Sequence, residues 1–304
     1  MTAKAESQEL VWRVSASLDA ARPGEILLLD EDGQVLGPGA MRRAAMVGWS
    51  AVGGMVGMTA VAVGALAGPL VGVLGGVGAL GALVMQARAG RAFRKALALA
   101  SAGRRDEALA AVAELERRHV GDQFPPFIDY LTGKLEWQRG QFAEAQRRYE
   151  RARARLVDRR RGRGMYWVCS FDRAQLMAAS GNVEGARTAR VELDAAPRGD
   201  YFAMELALTD LMIAFHGGDA SRLPDDEELF DWAKAALRTS RFGVSVALLA
   251  WAFGERGEAD MAEHLLREAP GRLATEFLPE SAPKLSAWLE ARLAALPPEP
   301  DLDE

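Results

Sequence analysis

DYLTGKLEWQRGQFAEAQRRYERARAR, residues 129 to 155, is the stretch on which the fold turns. Apolar and small residues follow helical spacing on both sides of Gly140, and glycine ends a helix at little cost because it accepts a left-handed backbone. Gly133 stands seven residues before Gly140; Phe142, Ala145, Tyr149 and Ala152 stand two, five, nine and twelve after it. The order is small, turn, aromatic, small, aromatic, small. It predicts two amphipathic helices joined by a tight turn, with small residues where the helices touch and large ones filling the seam to the next pair.

The same frame recurs along the chain, with turn glycines at Gly103, Gly140, Gly181, Gly218 and Gly257, at spacings of 37, 41, 37 and 39. The first unit keeps Ala96, Leu99, Ala108, Val112 and Leu115, and the last keeps Ala250, Phe253, Ala262, Leu266 and Ala269. In the third, Ala174, Met177 and Ala186 fit, but Arg190 stands where a large apolar residue is expected. In the fourth, an insertion around Ser221 to Glu228 displaces the second helix.

These units resemble the tetratricopeptide repeat, whose period is 34 residues, over about residues 93 to 270. The resemblance implies an all-α fold, a solenoid of helix hairpins over residues 91–296. It also implies a concave groove that binds a protein or peptide, each unit being stable only against its neighbours. A helix from about Pro283 to Leu296, carrying Leu285, Trp288, Leu289 and Leu293, is expected to cap the open end. Pro297-Pro298-Glu299-Pro300 stops it and leaves an acidic tail, residues 297–304.

Upstream the composition changes. Between Arg43 and Arg88 lie 44 residues with no charge, 11 of them glycine. A helix of that length spans roughly 66 Å, twice the hydrocarbon thickness of about 30 Å, so two crossings fit and one does not. The sequence thus predicts a two-helix transmembrane hairpin within residues 41–90, turning at Ala67-Gly68-Pro69. Arg42 and Arg43 precede it, Arg88, Arg91, Arg94 and Lys95 follow it, and its turn has no basic residue. The positive-inside rule then puts both termini in the cytoplasm, at the cytoplasmic (inner) membrane. Gly53 and Gly57 are four apart, as are Gly64, Gly68, Gly72 and Gly76, so small residues line helical faces as a zipper that lets backbones approach closely. Homo-oligomerisation through this hairpin is one expected consequence.

Residues 1–40 read as a cap: an amphipathic helix bearing Leu10, Val11, Val14 and Leu18, then a β-hairpin turning at Asp32-Gly33. The opening residues are polar and charged, which predicts no cleaved leader.

The whole chain is 49% hydrophobic with a net charge of -5, which argues against wholesale nucleic-acid binding. One segment departs from that average. Arg147, Arg148, Arg151, Arg153, Arg155, Arg159, Arg160, Arg161 and Arg163 are offset only by Glu150 and Asp158. Such a cluster suits anionic lipid headgroups or another anionic partner, or forms a solvated face paired with nearby acids. His119, His216 and His264 lack metal-ligand or nucleophile-base spacing. Cys169 reads as a core thiol, and the tryptophans as core or groove residues.

No catalytic constellation and no cofactor motif is present, so the sequence predicts binding rather than turnover. The expected function is a membrane-anchored cytoplasmic scaffold whose solenoid recruits a protein partner. The alternative is an oligomerising, pore-type effector with the solenoid as sensor.

Overall fold

A computed structural model describes residues 88–100, 102–117, 125–157, 163–238, 243–272 and 277–297. The expected N-terminal cap, the uncharged hairpin with its zipper glycines Gly53, Gly57, Gly64, Gly68, Gly72 and Gly76, and the acidic tail beyond Pro297 lie outside these residues. Every regular element among the described residues is helical, with no strand. They fall into two compact units, one reaching Thr132 and one running on from Gly133.

The helices come in pairs. Residues 88–100 (α1) and Arg105–Arg117 (α2) flank Gly103, and Pro125–Gln138 (α3) and Phe142–Leu156 (α4) flank Gly140. Arg163–Ala179 (α5) and Val183–Glu192 (α6) flank Gly181, Asp200–Gly217 (α7) and Asp226–Arg238 (α8) follow with Gly218 between, and Gly243–Arg256 (α9) and Ala259–Arg272 (α10) flank Gly257. The described residues with positive φ are those five turn glycines, at 64° to 87°. A side chain there would meet the following carbonyl, so glycine is required for the turn rather than tolerated in it. Four of the turns close with the paired bonds of a Schellman end; Gly218 N–H reaches Phe215 O at 3.2 Å and Asp219 N–H reaches Ala214 O at 3.0 Å. This architecture is compatible with a helical repeat fold.

Packing follows the frame. Ala96, Ala108, Ala145, Tyr149, Ala152, Ala174, Ala186, Ala250 and Ala269 are buried. At Gly133 a β-carbon would stand 2.9 Å from the Tyr149 ring, so α3 and α4 touch because that position has no side chain. From Gly133 onward, each second helix packs on the next first helix (α4 on α5, α6 on α7, α8 on α9), and the first helices α5, α7 and α9 lie side by side. Phe171 stacks on Phe202 at 5.6 Å between α5 and α7, and Trp251 meets Phe215 edge-on at 5.3 Å between α9 and α7.

Two irregularities in the sequence have physical causes. Arg190 takes its apolar position by clasping Asp210 of α7 with two bonds, 2.6 and 3.0 Å, while a third reaches Asp194. An ion pair replaces an apolar contact in that seam. The insertion of the fourth unit forms a short 3-10 turn, Ala220–Arg222, after which Asp225 Oδ1 accepts the Glu228 N–H and starts α8. The acids Asp226, Glu227 and Glu228 then occupy the first turn, where they favour the positive end of the helix.

The chain closes with Leu278–Ser281 (α11) and Pro283–Ala294 (α12). This segment packs on α10 and also doubles back across the turn ends of earlier hairpins. The Trp137 indole N–H donates to Ser281 O at 2.8 Å, joining residues 144 apart in the chain. The Glu280 carbonyl lies over Gly140, where a β-carbon would come within 3.1 Å of it. Leu278, Ala282, Leu285 and Leu289 belong to the common core. The expected end cap is thus also a strap across the array.

Candidate functional site

The first helices carry a row of buried polar side chains. Asp172 and Gln175 on α5, and Glu205 and Thr209 on α7, are all buried. Lys134 on α3 reaches both Asp172 oxygens at 3.2 and 3.3 Å. The Gln175 amide donates to Glu205 Oε2 at 2.8 Å and to Thr209 Oγ1 at 3.2 Å, and the Thr209 hydroxyl turns back to Glu205 O at 2.7 Å. Burial, with the Asp172 charge behind it, pushes the Glu205 carboxyl above its usual range. Burial works against the Lys134 charge, but Asp172 and Glu205 outweigh it and hold the ammonium above its ordinary value. Cys169 is fully buried beside this row, so the lone thiol is a core group.

Chemically the row offers an ammonium paired with one carboxylate, Lys134 with Asp172, and a second carboxylate, Glu205, held by the Gln175 amide. Its bonds run from helix to helix, and a buried network satisfied in this way fixes the register between elements. Sequence patterning misses these residues because polar side chains at helical spacing read as solvent-facing. The available signal was α7 itself, where Leu211 to Phe215 is an unbroken apolar run that leaves no polar face.

At the far end of α7 the Lys284 ammonium donates to Phe215 O at 2.9 Å and His216 O at 3.1 Å, placing a cation on the negative end of that helix. Trp288 meets the Phe215 ring edge-on at 6.0 Å. Burial, then the Lys284 charge, lowers the His216 pKa from its ordinary 6.5 to about 4. The unfolded chain therefore binds more protons than the folded one between those two values, so stability is full above pH 6.5 and is lost as pH falls towards 4. At about 1.4 kcal/mol per pH unit the loss is roughly 3 kcal/mol. Urea midpoints measured across this range should fall for the native chain and fall less for His216→Gln; identical slopes would refute the coupling.

Of the expected basic cluster, Arg147 and Arg148 both pair with Glu144, at 2.6 and 2.9 Å. Arg153 reaches Glu192 at 2.9 Å and lies over the Tyr166 ring. Arg151 and Arg155 are exposed on α4, and Arg163 is exposed at the start of α5. Arg159, Arg160 and Arg161 lie outside the described residues, as does His119. His264 sits on α10.

A cleft of about 350 Å³ is lined by residues of α9, α10 and α12 and walled by Trp251, Leu266, Trp288 and Leu296. Two acids line it, Glu255 and Glu263, and Glu263 is paired with Arg267 at 2.7 Å. Among the described residues, no group of three or more His, Cys, Asp or Glu side chains is placed to hold a metal ion. No helix among them is long and apolar enough to cross a membrane.

Among the described residues, fold and site together define helical hairpins turned at glycine. No protein-family model, no curated protein and no solved structure matches the chain.

Proposed function

We propose that this chain is a membrane-anchored scaffold in which a tetratricopeptide-like array, held at the cytoplasmic face of the inner membrane, recruits a protein partner. The observation that carries the reading is the set of five left-handed glycine turns at the positions the repeat frame demands. Arrays of this kind bury a continuous core by stacking and expose extended surface for binding. The anchor is argued from residues 44–87, uncharged throughout and flanked by arginines. Binding rather than turnover is the work assigned to it, with both termini cytoplasmic and no nucleic acid as partner.

The stripe Gly64, Gly68, Gly72 and Gly76 favours a second reading, a zipper hairpin that oligomerises and perturbs the bilayer. Vesicle leakage separates the two. The scaffold reading expects dye-loaded liposomes to stay intact at high protein loading. Leakage abolished by Gly64→Leu with Gly72→Leu would overturn it in favour of the effector.

A further inference from the structure

The exposed side of α4 presents Arg147, Arg151 and Arg155. Four residues apart, they form one row with about 6 Å between neighbours along the axis. The helix carries five arginines against Glu144 and Glu150, and Arg163 follows at the start of α5. Just beyond the row stands Val157, 62% exposed, and at the end of α6 stands Val191, 70% exposed; these are the large apolar side chains left in solvent among the described residues. They share an edge. Val157 donates its N–H to Arg153 O, Val191 directly precedes Glu192, and Arg153 and Glu192 are paired at 2.9 Å.

We infer that this edge of the second helices rests on an anionic lipid headgroup layer, the arginine row meeting phosphates while Val157 and Val191 enter the interface. The inference rests on the membrane-anchored reading and adds to it the face that the array turns towards the bilayer. Positive charge beside exposed apolar side chains is the combination that binds a headgroup boundary. Nucleic acid satisfies only half of it. Duplex phosphates offer nothing to two valines, and single strands are held by open aromatic platforms, whereas Tyr166 lies under the Arg153 guanidinium at 5.1 Å and has Trp167 edge-on against it.

The buried state of Cys169 makes the test direct, because a polarity-sensitive dye reacts selectively with an introduced surface cysteine. Full-length Val157→Cys and Val191→Cys chains, labelled and placed in nanodiscs, should brighten and shift to the blue when phosphatidylglycerol is mixed into phosphatidylcholine. Label at Glu258→Cys, in the α9–α10 turn, should not change. Salt, or Arg151→Glu with Arg155→Glu, should reverse the signal. Equal spectra in the two disc types overturn the inference, and so does an oligonucleotide that produces the same change. Failure to enter either disc removes the anchor reading alone. The free chain is then mixed with anionic vesicles: a roughly thirtyfold loss of binding for Arg151→Ala with Arg155→Ala, at about 1 kcal/mol per arginine, upholds the inference, and absence of binding overturns it.

Discussion

A chain ending at Glu276 should lose cooperative unfolding altogether. The deletion removes Leu278, Leu285 and Leu289, each no more than 5% exposed, and Ala282 from the core. At about 2 kcal/mol per buried leucine, the loss is roughly 6 kcal/mol, comparable with the whole stability of many domains. It also removes the Ser281 carbonyl from Trp137 and the Lys284 ammonium from the end of α7. Leu285→Ala, at a position 0% exposed, should by itself cost about 2 to 5 kcal/mol. Calorimetry and circular dichroism read both variants. In an ordinary stack, the loss of an end unit weakens its neighbour only. Here amide exchange in the Leu285→Ala chain should quicken in α3 as well as in α10, since the strap reaches both. A truncated chain that melts within a few degrees of the native one would refute the strap.

Gly133→Leu should destabilise the second hairpin by about 3 kcal/mol or more, the upper end for overpacking a filled interior. The new β-carbon would sit 2.9 Å from Tyr149 Cε1 and 3.2 Å from Arg148 Cβ, and the Tyr149 side chain is fully buried. The collision is specific to one partner, which gives the experiment its control. Tyr149→Ala leaves a cavity, and in that background Gly133→Leu should cost much less, because the added side chain enters space the ring has left. Thermal melts of the four chains of this cycle report the coupling directly. Additive losses would mean that the close approach of the two helices does not depend on that pair.

The hairpins were legible in the sequence because their turns need a residue that few others can replace. A left-handed turn leaves a glycine behind, so Gly103, Gly140, Gly181, Gly218 and Gly257 marked the frame before any packing was known. The small positions were legible for a related reason, since Ala145, Ala152 and Ala186 leave room for the partner helix. Arg190 was visible as an anomaly, but its partner Asp210 was not, being supplied by another helix. The strap was half legible: the apolar pattern of Leu285, Trp288 and Leu289 predicted a capping helix. Nothing local to Ser281 could announce Trp137, 144 residues away. The buried row of Asp172, Gln175, Glu205 and Thr209 was missed because patterning assigns polar residues to water, and only their bonds across helices remove that need.

The most direct test of the account is alkaline carbonate extraction of membranes carrying the tagged full-length chain, beside a chain lacking residues 44–87. The account predicts that the full chain stays in the pellet and leaves it only with detergent, while the deleted chain is recovered in the supernatant. A full-length chain released by carbonate, or soluble without detergent, would contradict it.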